Sequence, residues 1–218
     1  MRFISALYRQ VSRSEGTSLA RHATVENLDL FASPPPMPEG FRYRQEVISR
    51  EMETSLLEKF RELPFREFEF HGYTGKRRVV SYGWQYDYGE AKLRKTDDIP
   101  EFLKPVREIA ARFADVKSGD LQHVLVTEYS PGAPIGWHRD KAVFGDVIGI
   151  SLLSSCTFRL RRKVGAKWER ASIVAEPRSA YLMRGPSRTE WEHSIPPVDS
   201  LRYSITLRNF RGPGTAGR

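Results

Sequence analysis

The sequence contains a single cysteine and no long apolar run. Cys156 has no partner for an internal disulfide, so we expect a protein of a reducing compartment inside the cell, with the cytoplasm as the default location. No stretch is long and apolar enough to cross a bilayer, and no membrane partner is predicted. Internal repeats and low-complexity segments are also lacking, apart from the proline-rich stretch at residues 33–38. These absences exclude a disulfide-stapled scaffold, a helical membrane protein and a repeat protein.

The charge balance of the chain is basic. Lysine and arginine (35 residues) outnumber aspartate and glutamate (27 residues), which gives a formal charge of +8 and a pI near 9.7. Such a surface attracts polyanions and raises the rate of encounter with them. Nucleic acid is therefore the leading class of macromolecular partner, although many basic proteins bind none.

The chain of 218 residues is long enough for one domain with a sizeable core, and we expect a monomer. We predict an N-terminal arm (residues 1–27), a single domain (residues 28–212) and a short tail (residues 213–218). The arm is basic and its apolar residues share one helical face, a pattern that resembles an organelle transit peptide. The alternative, which we favour, is a short amphipathic arm that packs on the domain or is left loose.

The domain combines two amphipathic helices with a run of short strands. Ser49 is a candidate N-cap for a first helix, and apolar residues at helical spacing between Pro100 and Asp115 predict a second one. Over residues 121–210 the apolar residues alternate or form short blocks separated by turns. We infer an α+β protein whose antiparallel strands form a barrel or sandwich, with the two helices covering one outer face.

A His-x-Asp tripeptide is the first sign of a metal site. In a strand, His138 and Asp140 would point to the same side, about 6.6 Å apart along the chain, and could meet one ion. His193 would add a third donor. Two imidazoles and one carboxylate leave one face of an octahedral metal open, as non-haem iron(II) oxygenases require. The tripeptide alone is weak evidence, because a lone histidine is more often a surface or hydrogen-bonded residue, and a metallohydrolase could use the same donors.

Two arginines lie on the strand that follows His193. By alternation, Arg202, Ser204, Thr206 and Arg208 share one face of that strand. A 2-oxo dicarboxylic acid that chelates a metal through its keto-acid end leaves its far carboxylate for a fixed guanidinium, and Arg202 is the better candidate. Arg208 reaches the same small ligand only if the strand curves, because six residues of strand span roughly 20 Å. The alternative is that both arginines form salt bridges on an exposed sheet face.

Three segments together resemble the AlkB family of 2-oxoglutarate dioxygenases. They are TEYSPGAPIGWHRD, EWEHSIPPV and RYSITLR, and they match in order, spacing and flanking residues within residues 81–211. The resemblance implies a double-stranded β-helix (jelly-roll-like) core with flanking N-terminal helices. It also implies an iron(II) centre held by His138, Asp140 and His193, with 2-oxoglutarate and dioxygen as co-substrates. The implied reaction is hydroxylation of a substrate C–H bond, which ends in demethylation when the carbon is an N-methyl group.

The resemblance also implies roles for residues around the co-substrate. Arg202 would bind the far carboxylate of 2-oxoglutarate, and Arg208 would lie nearer its metal-bound end or the substrate. Tyr129 matches the family tyrosine that hydrogen-bonds the co-substrate. Thr127 stands where some members carry asparagine, and Ser204 replaces the asparagine between the two arginines of the bacterial prototype. Both replacements keep a hydroxyl donor.

Substrate-binding residues are predicted in an aromatic stripe. Tyr82, Trp84, Tyr86 and Tyr88 have one parity, so a single extended strand would place them on one face, where they could stack a flipped or single-stranded base. The Tyr-Gly pair at Tyr82 follows basic residues, as in the nucleotide-recognition region of the family. The alternative is that the stripe packs over the first helix as core. Trp191 could line the substrate pocket on the same face as His193.

Two basic clusters could track a phosphate backbone, or could form a merely solvated face. The clusters are Lys76, Arg77 and Arg78, before the aromatic stripe, and Arg159, Arg161, Arg162, Lys163, Lys167 and Arg170, in an apparent hairpin. Of the first cluster, Arg78 is the predicted substrate contact.

Three functions remain open at the level of the sequence. The first is demethylation of alkylated bases in DNA or RNA, and the second is the same chemistry on a protein or small molecule. The third is a metal-containing nucleic-acid-binding module without turnover. The arginine pair argues against the third function and against a metallohydrolase, because neither needs it.

Overall fold

The computed structural model of the protein describes residues 36–70, 73–87, 90 and 92–211. The predicted N-terminal arm, the tail and Tyr88 lie outside the described residues. In the described ranges, no helix is long and apolar enough to span a membrane.

The chain alternates short helices with a larger number of strands. The helices are α1 (Arg50–Phe60), α2 (Lys104–Ala114) and the single turn α3 (Pro186–Thr189). The strands are, in chain order, β1 (Phe41–Arg44), β2 (Arg66–Phe70), β3 (Tyr73–Tyr82), β4 (Trp84–Asp87), β5 (Lys92–Lys95), β6 (His123–Tyr129), β7 (Ile135–His138), β8 (Phe144–Leu152), β9 (Cys156–Val164), β10 (Lys167–Ala175), β11 (Ala180–Met183), β12 (Glu192–Ile195) and β13 (Arg202–Phe210).

Both predicted helices are present: α1 begins at the predicted cap and α2 ends at the predicted residue. The Ser49 hydroxyl accepts a hydrogen bond from the Met52 N–H at 3.2 Å and caps α1, which satisfies one of the donors that a helix leaves unpaired at its start. Asp115 ends α2 in the left-handed conformation, with φ of 55°. Buried residues of both helices, such as Phe60 and Val106, pack in one cluster with apolar residues of the large sheet. The helices therefore cover one face of that sheet.

The strands form two antiparallel sheets and a separate ribbon. The large sheet has the order β1-β11-β8-β13-β6-β3-β2, the small sheet has the order β10-β9-β12-β7, and β4 pairs with β5 in the ribbon. A second apolar cluster joins residues of both sheets, among them Tyr129 and Met183 of the large sheet and Leu160 of the small one. The two sheets thus enclose an interior, and this arrangement is the double-stranded β-helix that the sequence predicts.

Strand β13 has the predicted alternation. Ile205 and Leu207 belong to the cluster under the helices, whereas the alternate residues Arg202, Ser204 and Arg208 are buried on the opposite side of the strand. The polar face of β13 therefore lines the interior between the sheets.

The predicted aromatic stripe is wrong. Strand β3 ends at Tyr82, and Gly83, with φ of 76°, separates it from the ribbon that begins at Trp84. A Cβ at Gly83 would lie 2.1 Å from the Gln122 carbonyl oxygen, so only glycine fits this turn. Tyr82 packs in the apolar cluster under the helices, as the alternative interpretation of the stripe as core predicts. Trp84 and Tyr86 lie on the ribbon.

Candidate active site

The two histidines of the predicted metal centre lie on adjacent strands of the small sheet. His138 ends β7 and His193 lies on β12, directly opposite it in the antiparallel register. Their ring centroids are 4.2 Å apart. The His138 Nδ1 lies 2.9 Å from the Gly136 carbonyl oxygen; a proton on Nδ1 would leave Nε2 as the lone-pair donor.

Asp140 follows β7 and does not belong to the strand, in contrast to the prediction. Its Oδ1 accepts a hydrogen bond from Arg208 Nη2 at 2.7 Å, and its Oδ2 lies 3.9 Å from His193 Nε2. The carboxylate is thus turned toward Arg208. Among the described residues, there is no group of three histidine, cysteine or acidic side chains close enough together to hold a metal ion. The donor set nevertheless fits iron(II) by type, because two imidazoles and one carboxylate adjoin at one end of the interior.

The protonation states of these groups suit metal binding. Burial, and next the neighbouring His138, lowers the pKa of His193 to about 3. Burial also lowers the pKa of His138. Burial opposes ionisation of Asp140, but Arg208 and the two histidines outweigh it and lower the pKa of this carboxyl. At neutral pH the site therefore presents two neutral imidazoles and one carboxylate.

A third histidine, His123, lies on β6 directly opposite Arg208 in the register. Its Nδ1 is 3.2 Å from Arg208 Nη1, so a neutral imidazole can accept that hydrogen bond while Arg208 Nη2 donates to Asp140. Burial, and then Arg208, lowers the pKa of His123 well below its usual range. His123 is not among the site residues predicted from the sequence. Its parity with Tyr129 on the same strand is the signal that places it in the interior.

These buried histidines predict that the metal-free protein loses stability in mild acid. Each histidine of the unfolded chain takes up a proton near pH 6.5, whereas His123, His138 and His193 stay neutral in the folded chain to lower pH. The free energy of unfolding is therefore fully retained above pH 6.5. Below it, this free energy falls by about 1.4 kcal/mol per pH unit for each such histidine. Urea unfolding at pH 7.5, 6.0 and 5.0 measures the slope.

The control for this prediction is His123→Gln, which keeps an acceptor for Arg208 but cannot be protonated. We expect the slope between pH 6 and pH 5 to become smaller, since the proton linked to His123 is removed. An unchanged slope would contradict the neutral state of His123.

Arg202 lies at the other end of the interior. It is 1% exposed, its Nη2 donates to the Ser151 hydroxyl at 3.0 Å, and its Nε and Nη1 are buried without any hydrogen-bond partner. Its guanidinium carbon lies 4.7 Å from the centroid of the Tyr129 ring, and the Tyr129 hydroxyl is 3.2 Å from the Ser204 hydroxyl. A buried cation with two unused donors requires an anion, and a carboxylate matches this fork.

The remaining predicted co-substrate residues line the same interior. Thr127 is buried on β6, opposite Ser204 in the register with β13. Arg208 is not open to an anion from every side, because Asp140 and His123 occupy two of its nitrogens; only its Nε is buried without a partner. Arg202 and Arg208 therefore mark two ends of the polar face of β13.

The predicted substrate residues do not lie together. Arg78 is turned away from the interior, because the preceding position of β3 faces inward and side chains alternate along a strand. Its guanidinium forms a bidentate ion pair with Glu128, at 2.8 and 3.0 Å. Tyr82 lies under the helices. Trp84 packs edge-on against Phe210 at 5.6 Å, at the end of β13. Trp191 is buried between the sheets, with the Arg162 guanidinium 5.2 Å from its ring centroid.

Comparison with known proteins gives a family match over most of the chain. The family model described as the 2OG-Fe(II) oxygenase superfamily matches residues 40–208. A protein of Arabidopsis thaliana named "Alkylated DNA repair protein ALKBH8 homolog" is 28% identical over 162 residues, which cover 62% of this chain and 47% of that one. The "tRNA (carboxymethyluridine(34)-5-O)-methyltransferase ALKBH8" of Macaca fascicularis is 26% identical over 174 residues, which cover 74% of this chain and 25% of that one. The chain thus spans less than half the length of these two relatives.

Two solved structures share the fold. The structure of OsALKBH1 has a TM-score of 0.59 at 15% identity, with 80% of this chain and 98% of that chain covered. A prolyl-4-hydroxylase of Pseudomonas putida has a TM-score of 0.52 at 14% identity, with 79% and 94% covered. The family match implies iron(II) and 2-oxoglutarate as cofactor and co-substrate. From its family match, its relatives and its fold, the chain belongs to the 2OG-Fe(II) oxygenase superfamily and is of the AlkB type.

Proposed function

We propose that this oxygenase hydroxylates N-alkyl groups on bases of DNA or RNA, which removes the alkyl group. His138, Asp140 and His193 would hold iron(II), and Arg202 would hold the far carboxylate of 2-oxoglutarate. The observation that carries the chemistry is the buried Arg202 guanidinium, whose Nε and Nη1 have no hydrogen-bond partner. Iron(II), when bound, would supply the oxidation of the C–H bond with dioxygen and 2-oxoglutarate.

The protein's own side chains would fix the geometry of this reaction. Arg208 orients the Asp140 carboxylate through the 2.7 Å hydrogen bond, and His123 fixes the second prong of Arg208. Phe158 packs on one side of His193, with 5.4 Å between the ring centroids, and keeps water from that side of the donor. These contacts fix the orientation of the metal donors and exclude water from one side of His193.

The nucleic-acid part of the proposal is supported by the outer face of the small sheet. Arg161 stacks between Trp137 and Trp168, with 4.4 and 4.3 Å from its guanidinium carbon to the two ring centroids. Trp137 directly precedes His138, so this stack adjoins the metal end of the interior. The β9–β10 hairpin extends it with Lys163, Lys167 and Arg170, all exposed. Stacked aromatic and cationic groups of this kind bind a phosphate backbone and its bases.

The β4–β5 ribbon, on the other side of the site, also favours a nucleic-acid substrate. Tyr86 lies under the ammonium of Lys141, with 5.2 Å from nitrogen to ring centroid, and Lys141 directly follows Asp140. An aromatic ribbon beside a metal donor suits a base that has left its stack. Two of the relatives are named as a DNA repair protein homologue and a tRNA methyltransferase, which favours a nucleic-acid substrate.

The test is mass spectrometry of single-stranded oligonucleotides that carry 1-methyladenine or 3-methylcytosine. The full chain is incubated with iron(II) and air, with and without 2-oxoglutarate, beside an Asp140→Asn control. We expect loss of the methyl group only in the complete mixture. Succinate formed while the oligonucleotide stays unchanged would overturn the nucleic-acid substrate and point to a protein or small molecule. Absence of both would overturn the catalytic proposal.

The hairpin surface gives a prediction for binding. The triple variant Lys163→Glu, Lys167→Glu and Arg170→Glu should weaken binding of a single-stranded oligonucleotide. It should also reduce the slope of log K against log salt by about 2, at roughly 0.7 per lost phosphate contact. Fluorescence anisotropy over a salt series measures both quantities.

The matched control carries the same charge change on the helix side. Lys59→Glu, Arg112→Glu and Lys117→Glu alter exposed residues of α1, α2 and the turn that follows α2. Equal loss of affinity and of salt slope in both triple variants would mean that only net charge matters, and would contradict a role for the hairpin surface.

A further inference from the structure

Asp140 lies on a loop and not on a strand, so the direction of its carboxylate depends on what holds that loop. This segment, the Asp140 loop (residues 139–143), connects β7 to β8. It ends in a turn, in which the Phe144 N–H donates to the Lys141 carbonyl oxygen at 3.0 Å. Residues between strands have no ladder of main-chain hydrogen bonds, and side chains often take the place of that ladder.

Arg188, on the single turn α3, binds both ends of the turn that follows Asp140. Its Nη2 donates to the Lys141 carbonyl oxygen at 2.7 Å and to the Phe144 carbonyl oxygen at 3.1 Å. Arg188 is 4% exposed, and its Nε is buried without a hydrogen-bond partner. Arginine is seldom buried so deeply unless it is paired, and its acceptors here are two neutral carbonyl groups. The guanidinium therefore serves the conformation of this turn.

A second contact joins the other side of Asp140 to the same helical turn. Arg139 Nη1 donates to the Thr189 carbonyl oxygen at 3.3 Å. The residues before and after Asp140 are thus both held by α3. Thr189 is followed, after three residues, by His193 on β12. The segment from α3 to β12 therefore supplies one proposed metal donor and holds the loop that carries another.

Arg188 also acts on the arginine that orients Asp140. The Phe144 ring is buried, and the Arg208 guanidinium carbon lies 5.1 Å from its centroid. Arg208 in turn donates to the Asp140 carboxylate at 2.7 Å. Arg188 fixes the main chain of Phe144, so its loss would loosen Asp140 both through the loop and through Arg208.

We propose that Arg188 is a positioning residue of the metal centre, which holds the Asp140 loop against α3 so that the carboxylate can meet His138 and His193. The inference rests on the proposed metal donors and not on the nature of the oxidised substrate. It assigns a role to α3, which lies just before the segment EWEHSIPPV and outside the sequence motifs.

The first test measures binding of Mn(II) to the full chain by calorimetry. Arg188→Met removes both hydrogen bonds, and we expect the Kd for Mn(II) to rise roughly 10- to 100-fold, as when a partner of a metal ligand is lost. Arg188→Lys keeps the charge on a shorter side chain, and its Kd should rise at least about threefold but less than that of Arg188→Met. A Kd within about twofold of the wild type in either variant would refute the proposal.

Arg184→Met is the matched control, because Arg184 precedes α3 but holds other parts of the chain. It pairs with Asp146 at 2.6 Å and donates to the Ala114 carbonyl oxygen at 2.7 Å. This variant should lose thermal stability and keep its Kd for Mn(II) within about twofold of the wild type. An equal rise of this Kd in Arg184→Met and Arg188→Met would show that any loosening of the segment weakens metal binding, which contradicts a specific role for Arg188.

The affinity for 2-oxoglutarate separates positioning of Asp140 from a general disturbance of the interior. With Mn(II) at saturation, the Kd of Arg188→Met for 2-oxoglutarate should stay within about threefold of the wild type, since Arg202 lies at the other end of the interior. If this Kd rose as much as the Kd for Mn(II), Arg188 would be a structural residue of the whole interior and the proposal would be wrong.

Asp140→Asn distinguishes failure of this inference from failure of the proposed metal site. If Asp140→Asn lost Mn(II) binding while Arg188→Met kept it, only the role of Arg188 would be refuted. If Asp140→Asn bound Mn(II) as the wild type does, the proposed donor set would be wrong, and the role of Arg188 with it. None of these measurements involves nucleic acid, so they do not depend on the proposed substrate.

Discussion

Replacement of Arg202 by methionine is expected to stabilise the ligand-free protein while it removes binding of 2-oxoglutarate. Arg202 is 1% exposed, and two of its nitrogens have no partner. Each unpaired buried polar group costs about 1–3 kcal/mol, so a flexible apolar side chain in this place should raise the free energy of unfolding by a similar amount. The affinity for 2-oxoglutarate should fall by roughly 10²- to 10³-fold, as when one partner of a buried ion pair is removed.

Urea unfolding of the Mn(II)-loaded protein, with and without 2-oxoglutarate, measures both effects. The wild type should gain stability from the co-substrate and Arg202→Met should not. Arg161→Met is the control, since Arg161 stacks on Trp137 and Trp168 and pairs with Glu192 on the outer face. It should lose stability and keep its response to 2-oxoglutarate. If the ligand-free Arg202→Met protein were less stable than the wild type, the proposal that Arg202 is an anion-binding residue without a partner in the ligand-free protein would be contradicted.

Loss of the Asp140 carboxylate should abolish turnover. Two different replacements separate the loss of metal binding from the loss of stability. Asp140→Ala leaves the Arg208 guanidinium buried without its main partner, which lies at 2.7 Å in the native protein. Breaking a buried ion pair in this way lowers the free energy of unfolding by about 3–5 kcal/mol. Asp140→Asn keeps an oxygen that accepts from Arg208 but removes the charge that a divalent metal requires.

We therefore expect both variants to be inactive and only the alanine variant to be strongly destabilised. Calorimetric titration with Mn(II) and the yield of succinate measure metal binding and turnover, and thermal unfolding measures stability. If Asp140→Asn formed succinate at near the wild-type rate, the assignment of Asp140 as a metal ligand would be wrong.

The sequence predicted the elements that depend on local spacing. The helix cap at Ser49 and the alternation along β13 are read from neighbours in the chain, and the structure has both. The sheet architecture was predicted less directly, because strand order depends on contacts between distant segments. Only the joint resemblance of three motifs, and not the periodicity, led to the double-stranded β-helix.

The predictions that were wrong or missing concern residues whose role depends on a partner on a neighbouring strand. Arg78 belongs to a basic run, but its partner Glu128 lies on β6, fifty residues away, and only the register shows that the pair lies on the face of the sheet opposite the interior. Tyr82 seemed continuous with Trp84 because a turn at a single glycine is not visible in an alternating pattern.

The candidate site is divided between the two sheets, and this division has a thermodynamic consequence. His138 and His193 come from the small sheet, whereas Arg202 and Arg208 come from the large one. The Asp140–Arg208 contact joins a segment that follows a small-sheet strand to the large sheet. A chain whose sheets have separated, even with every strand intact, keeps the metal donors beside the small sheet but no longer faces them toward Arg202, so one 2-oxoglutarate molecule could not contact both. Loading with metal and 2-oxoglutarate should therefore merge separate opening events of the two sheets into one cooperative unit, with equal amide exchange protection in β12 and β13.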